Sequence, residues 1–265
     1  MAVVITVFIF LLCLIVTLVA SEVLVHGLTV LGMKFTMTEG FIGLLAALGA
    51  DSPEITTAIV SLFVGAADVG QDVVLGSNLF NLAMLLGLSA LLAGQVRIRR
   101  QGLLLDGSVG IAALLIVAAL LLGLITPIAV LVLLAVLLIP YVFLVGLHPR
   151  HIDHLPLPDG LAHLLARAAR QIHQDITGPQ KSTGSWIPVI LVPGALLVMI
   201  VACIGLVETA LVLTQTWHLS RAFVGVGILA ALTSIPNAYT TTHLALRGRG
   251  AAVVSATVNS NTVIW

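Results

Sequence analysis

Two polar clusters, each containing a proline, interrupt apolar segments of this 265-residue chain. The first reads Gly-Ala-Asp-Ser-Pro-Glu at residues 49–54 and is followed by Gly-Ser-Asn-Leu-Phe-Asn at residues 76–81. The second reads Leu-Thr-Ser-Ile-Pro-Asn at residues 232–237 and is followed by Asn-Ser-Asn-Thr-Val-Ile at residues 259–264. The prolines of the two clusters are 183 residues apart, and so are the first serines of the two following segments. Polar groups are costly in lipid, and their repetition at one register indicates an ion pathway.

The prolines give these clusters a cation-binding chemistry. Proline has no N–H, so a helix through Pro53 leaves the carbonyl of Gly49 without its usual hydrogen bond. A cation that sheds water inside the membrane needs such carbonyls together with side-chain oxygens. Glu54 supplies an anionic oxygen beside the proline, and Asp51 can share its helix face. The alternative is that the serines and asparagines only join helices through hydrogen bonds.

The composition predicts an integral membrane protein. Hydrophobic residues make up 60% of the chain and charged residues only 8%, whereas soluble domains carry about 25% charged residues. Segments long enough to cross a membrane, about 20 residues, are predicted at roughly 3–27, 39–65, 70–94, 103–124, 127–147, 187–214 and 221–246, and an eighth begins near residue 250. The segments are apolar on all sides, which favours helices over a barrel. The predicted fold is therefore an all-α polytopic membrane bundle with about eight transmembrane helices.

The basic residues set the predicted orientation. Of the 11 lysines and arginines, only Arg221 falls on one side of this topology, and the others fall on the opposite side. The positive-inside rule then places the N-terminus outside and the long central loop in the cytoplasm. We expect a protein of the plasma or inner membrane that contacts membrane lipids and small cations, without a nucleic-acid partner. Its oligomeric state stays open.

Three regions are predicted along the chain. Residues 1–147 form a first membrane repeat of five helices, residues 148–185 form a cytoplasmic loop with a short amphipathic helix, and residues 186–265 form a second repeat. An odd number of helices makes the second repeat enter the membrane from the opposite side, so the repeats are inverted. The last apolar segment reaches only about 16 residues, fewer than a span requires. We therefore expect the second repeat to be incomplete and the sequence to be a fragment.

The first cluster and the segment at 76–81 resemble the first signature repeat of the cation/calcium exchanger superfamily, which includes sodium/calcium and calcium/proton antiporters. The resemblance rests on Gly49, Pro53, Glu54 and the Gly-Ser-Asn-x-Phe-Asn segment, of which that segment is the specific part, and the resemblance of the second repeat is weak on its own. It implies ten helices in two inverted halves, so that two helices would follow Trp265. It also implies a transporter rather than an enzyme, with no cofactor beyond the transported cations.

The resemblance implies roles for individual residues. Glu54 and Asn81 match ion ligands of the family, and Ser77 matches a supporting oxygen. In the second repeat Asn237 stands in place of a glutamate and Ile264 in place of Asn or Asp. The expected cation-binding residues are Glu54, Asp51, Ser77, Asn81, Asn78, Gly49, Thr233, Ser234, Asn237 and Ser260, with Glu54 and Asn81 as metal ligands.

The missing acid in the second repeat leaves two interpretations of the site. Asp51, which stands where the family has serine, compensates for the lost carboxylate, or the site has become selective for a monovalent cation or a proton. The leading functional prediction is a secondary antiporter that exchanges Ca²⁺ for Na⁺ or H⁺ at a mid-membrane site by alternating access. The alternatives are a monovalent cation/proton exchanger and a non-transporting pseudo-transporter that acts as a scaffold or sensor.

Overall fold

The computed structural model describes residues 2–35, 39–85, 87, 90–91, 100–146, 185–246, 257 and 260. All regular elements within these residues are helices. The helices are α1 (Ala2–Lys34), α2 (Glu39–Ala50), α3 (Ser52–Phe63), α4 (Ala67–Phe80), α5 (Arg100–Leu121), α6 (Pro127–Gly146), α7 (Ile187–Thr216), α8 (Ala230–Thr233) and α9 (Ile235–Leu246). Two π-helical segments, Asn81–Leu85 and Phe223–Leu229, continue α4 and precede α8. Most of the predicted central loop, with its amphipathic helix, lies outside the described residues.

Two predicted spans are interrupted beside the prolines that they contain. The span predicted at 39–65 divides at Asp51 into α2 and α3. The span predicted at 221–246 divides at Ser234, where its two parts are bent by 44°. Both breaks lie just before a proline, whose ring and missing N–H prevent a regular helix from continuing. The bounds of α3 and α9 differ by 183 positions at both ends, so the structure reproduces the sequence repeat.

Two unbroken helices in the described part of the chain are long and apolar enough to cross a membrane. They are α1 and α7, and the bent pair that ends in α9 makes a third candidate. The span predicted at 39–65 is broken, and those predicted at 103–124 and 127–147 give shorter apolar helices, Gly107–Leu120 and Pro127–Val142. Much of the sequence after residue 85 in the third predicted span, and most of the segment from residue 250, lies outside the described residues. The all-helical membrane fold is confirmed, while the bounds of the three predicted regions remain predictions.

The first helices of the two repeats, α1 and α7, pack antiparallel. Gly27 near the end of α1 faces Val192 and Pro188 near the start of α7, and Cys13 faces Gly205 further along. Because α1 and α7 hold equivalent places in the two repeats, their opposite directions are those of an inverted pair.

A buried apolar cluster joins the repeats beside the broken helices. It contains Phe10 and Leu14 of α1, Leu206 of α7 and Leu229 next to α8, together with Val69 and Val73 of α4. Gly76 continues this packing, since a Cβ atom there would lie only 2.6 Å from the Cα atom of Val226. The close approach brings the end of α4, with Ser77, Asn78 and Asn81, against the second repeat.

Candidate functional site

At the break between α2 and α3, one backbone carbonyl accepts hydrogen bonds from two serine side chains. Pro53 lies in the first turn of α3, where a missing N–H is tolerated. The carbonyl oxygen of Gly49 instead accepts hydrogen bonds from Ser21 Oγ of α1 at 3.0 Å and from Ser52 Oγ at 2.5 Å. The carbonyl that the sequence predicts to be free therefore has two hydroxyl donors. Its two lone pairs are used in this conformation.

The polar side chains of both breaks are removed from solvent. Six of the expected site residues have no exposed surface, and three more are at most 6% exposed. The first group is Asp51, Glu54, Ser77, Asn81, Thr233 and Ser234, and the second is Asn78, Asn237 and Ser260. Burial of so many polar groups is unfavourable unless they bind one another or a ligand.

A hydrogen-bonded network centred on Asp51 connects the two repeats. Asp51 Oδ1 accepts from Asn237 Nδ2 at 2.6 Å and from Ser260 Oγ at 2.5 Å. Ser260 Oγ in turn accepts from Asn81 Nδ2 at 2.8 Å. Residues from both breaks, from the end of α4 and from near the end of the sequence thus meet at one point. The partner atoms fix both amide orientations, because a carboxylate oxygen and a hydroxyl that already donates can only accept.

Oxygen atoms remain without partners around this network. Six buried side-chain nitrogen or oxygen atoms of the described residues lack a hydrogen-bond partner, and all six are oxygens. They are Asp51 Oδ2, both carboxylate oxygens of Glu54, Asn78 Oδ1, Asn81 Oδ1 and Ser234 Oγ. An unsatisfied buried acceptor costs about 1–3 kcal/mol, and more when it is charged. Carboxylate, amide and hydroxyl oxygens are the ligands that hard cations such as Ca²⁺ prefer.

Three other side-chain donors near the breaks bond to carbonyls of their own helices. Asn78 Nδ2 donates to the Val74 carbonyl at 2.9 Å, and Ser77 Oγ donates to the Val73 carbonyl at 2.8 Å. Thr233 Oγ1 donates to the Leu229 carbonyl at 2.9 Å. These local bonds use one hydrogen of each side chain and leave its oxygen lone pairs available to accept.

The structure brings five of the ten expected residues together. Asp51, Asn81, Asn237 and Ser260 share one network, and the Glu54 carboxylate interacts electrostatically with that of Asp51. Ser77 and Thr233 bond only to their own helices in this arrangement. Ile264 stands where the second repeat of the family has Asn or Asp, and it lies outside the described residues.

Sequence reasoning missed the contribution of α1 and α7. Thr57 Oγ1 of α3 donates to Cys203 Sγ of α7 at 3.5 Å, and Thr17 of α1 lies 3.8 Å from the same sulfur. Ser21, one turn after Thr17, holds the Gly49 carbonyl. The sequence contains a signal for this contact, because Thr17 and Ser21 are four positions apart and therefore share one face of an otherwise apolar helix.

Known proteins with similar sequences are membrane exchangers. Residues 5–165 match the family model described as sodium/calcium exchanger protein. CaxA of Alkalimonas amylolytica, named as a candidate antiporter, is 32% identical over 77 residues, which are 29% of this chain and 24% of CaxA. Human sodium/potassium/calcium exchanger 3 is 38% identical over 50 residues, which are 19% of this chain and 8% of that protein. The chain thus matches about a quarter or less of the length of these relatives.

The fold also resembles a solved transporter. A structure of the sodium-calcium exchanger NCX_Mj, soaked with Na⁺ and Sr²⁺, superimposes with a TM-score of 0.56 at 21% identity. The match covers 99% of this chain and 79% of that chain. At this identity the likeness establishes the helical fold alone. Because the family model spans more than half of the sequence, this integral membrane protein belongs to the sodium/calcium exchanger family, a family of transporters rather than enzymes.

Proposed function

We propose that the protein is a secondary cation antiporter that binds Ca²⁺ at the two helix breaks and exchanges it for Na⁺ or H⁺. The observation that carries this proposal is the set of six buried oxygens without hydrogen-bond partners. Protons or a cation must balance the two buried carboxylates of Asp51 and Glu54, and one divalent ion matches their combined charge. Several relatives are named sodium/potassium/calcium exchangers, which supports the same class of cargo.

In the proposed site Glu54 and Asn81 contact the ion directly. Neither Glu54 oxygen nor Asn81 Oδ1 accepts a hydrogen bond of good geometry, although the Ser234 hydroxyl interacts with the Glu54 carboxylate. Asp51, Asn78 and Ser234 contribute further oxygens, while Ser77, Thr233, Asn237 and Ser260 support them. Gly49 would join the ligands only in a conformation that releases its carbonyl from Ser21 and Ser52.

Transport in reconstituted vesicles tests the proposal. An outward Na⁺ or proton gradient should drive Ca²⁺ accumulation, and the gradient that does so identifies the counter-ion. Glu54→Gln keeps the shape of the side chain and removes its charge, so Ca²⁺ flux should fall on the order of 100-fold. Glu22→Gln is the matched control, because Glu22 is an exposed acid of α1 outside the site. Equal flux in the wild type and Glu54→Gln would refute the assigned site.

Binding measured beside flux separates the alternative functions. Ca²⁺-dependent stabilisation of the wild type without flux would identify a non-transporting sensor or scaffold instead. Na⁺ or K⁺ exchange without Ca²⁺ competition would identify a monovalent exchanger.

We also propose that the N-terminus lies outside a plasma or inner membrane and that the central loop is cytoplasmic. Arg221, the one basic residue predicted outside, contacts Asp68 with an N–O distance of 3.2 Å. Asp68 lies in the first turn of α4, on the side that this topology also assigns to the exterior, so the ion pair supports a common side for both residues. A cysteine introduced at Ser220 should react with an impermeant thiol reagent on intact cells. Reaction only after membrane permeabilisation would reverse the topology.

A further inference from the structure

We infer that Asp51 supplies the second negative charge of the cation site from the first repeat, and that Asn237 and Ser260 are the positioning residues that hold it there. The inference rests on the proposed function and specifies the charge of the cargo. It makes the site a divalent-cation site in which both acids come from the break between α2 and α3. The second repeat contributes neutral groups only, as far as the structure describes it at this site.

The position of the Asp51 carboxylate carries the inference. Asn237 follows Pro236 as Glu54 follows Pro53, so the two residues hold equivalent places in the repeats. The Asp51 carboxylate reaches across to the end of the Asn237 side chain, with an Oδ1–Nδ2 distance of 2.6 Å. The charge therefore lies one hydrogen bond from the place where an acid at position 237 would present its own oxygens.

The chemistry of the two residues is complementary. An acid at position 237 would put a third carboxylate beside Asp51 and Glu54, and three buried acids exceed the charge of one divalent ion. An amide at that position instead donates a hydrogen bond to the ionised carboxylate and stabilises its charge. Relative to the family pattern, the acid therefore lies in the first repeat, at Asp51, and its neutral hydrogen-bond partner lies in the second repeat, at Asn237.

Ser260 connects this pair to the other ligands. Its hydroxyl donates to Asp51 Oδ1 at 2.5 Å and accepts from Asn81 Nδ2 at 2.8 Å. Both interactions leave one oxygen of each partner unbonded, namely Asp51 Oδ2 and Asn81 Oδ1. Ser260 therefore orients an anionic and a neutral oxygen without having to contact the ion.

Returning the acid to the second repeat is the decisive test. Ca²⁺ and Na⁺ affinities of the purified protein would be measured by calorimetry for Asp51→Ser, Asn237→Glu and the double variant. Asp51→Ser should weaken Ca²⁺ binding on the order of 100-fold while changing Na⁺ binding far less, because a monovalent ion needs one acid only. The double variant should recover Ca²⁺ affinity to within about tenfold of the wild type, since its two acids again balance the ion.

Three outcomes would overturn the inference. They are unchanged Ca²⁺ affinity in Asp51→Ser, an equal loss of Na⁺ and Ca²⁺ binding, and a folded double variant that binds Ca²⁺ no better than Asp51→Ser. The isosteric Asp51→Asn variant provides the same comparison if the serine variants fail to fold. Loss of binding in Glu54→Gln with none in Asp51→Asn would reject this inference alone, whereas full binding in Glu54→Gln would reject the proposed function.

The positioning role of Ser260 has a separate readout. Ser260→Ala should lower the ratio of Ca²⁺ to Na⁺ affinity, because the second charge loses a donor that orients it. Ser260→Thr retains the hydroxyl and should restore the ratio. A uniform decrease in both affinities, unrelieved by threonine, would mean that Ser260 only packs the two repeats together.

Discussion

Adding one methyl group at Gly76 tests whether close contact between the repeats maintains the site. A Cβ atom at this position would lie 2.6 Å from both the Cα atom and the carbonyl oxygen of Val226, and 2.7 Å from Cβ of Ala230. Carbon atoms in good contact are about 3.5–4.0 Å apart, so the overlap is about 1 Å. Val226 presents backbone atoms, which no rotamer change can move away. Gly76→Ala must therefore displace α4 from the second repeat.

The expected loss follows from two opposing effects. Alanine is favoured over glycine inside a helix by about 1 kcal/mol. Overpacking at a rigid contact costs about 1–3 kcal/mol and occasionally more. With backbone atoms on the opposing side we expect the upper part of this range, which leaves a net loss of about 1–2 kcal/mol. A shift of about 1 Å would also stretch the 2.8 Å bond from Asn81 to Ser260 beyond hydrogen-bonding distance.

Thermal unfolding in detergent and Ca²⁺ titration measure the two effects. Gly76→Ala should lower the melting temperature by several degrees, at about 2–4 °C per kcal/mol, and weaken Ca²⁺ binding. Gly194→Ala is the matched control, because a Cβ atom at this exposed position of α7 meets no atom within 4 Å. A Gly76→Ala protein that melts with the control and binds Ca²⁺ like the wild type would show that this contact does not maintain the site.

Three further changes test individual contacts. Ser21→Ala removes one of two donors to the Gly49 carbonyl and should cost about 1 kcal/mol, seen as a lower melting temperature; no change would mean that the other donor suffices. Arg221→Gln breaks the ion pair between Arg221 and Asp68, and the side chains of both residues are 52% exposed. It should leave the melting temperature almost unchanged, since solvent screens an exposed pair, and a clear loss in unfolding measurements would contradict a surface pair. Cys203 is fully buried, so a maleimide should label it only after unfolding, and rapid labelling of the folded protein would contradict the packing of α7.

The existence of the two helix breaks could be predicted from the sequence because their causes are local. A missing N–H and a steric clash act on the turn before each proline, whatever the rest of the chain does. The structure places these breaks at Asp51 and Ser234, two residues before Pro53 and Pro236. Apolar length reports only that a segment can lie in a membrane. It carries no information on where a helix within that segment begins or ends.

The partners of the site residues could not be predicted in the same way. Ser77 and Thr233 return their hydrogens to carbonyls of their own helices, a local pattern that serine and threonine often adopt. Asp51 instead meets Asn237, which is 186 positions away. That contact depends on how the two repeats pack, and neither cluster alone specifies it. The donors that the Gly49 carbonyl finds in place of an N–H at position 53 could not be predicted either, since Ser21 reaches it from another helix.

Inverted repeats need not contribute equal ligands once their polar clusters touch. Each break brings its side chains to the same buried point, so in the proposed site an acid on either side could reach a bound cation if the opposite side holds that acid in place. The Asp51–Asn237 and Asp51–Ser260 bonds are contacts of this kind. Loss of the second-repeat acid therefore leaves two carboxylates in the site. The neutral residues at 237 and 260 follow from the position of Asp51, since donors rather than a third acid must face its carboxylate.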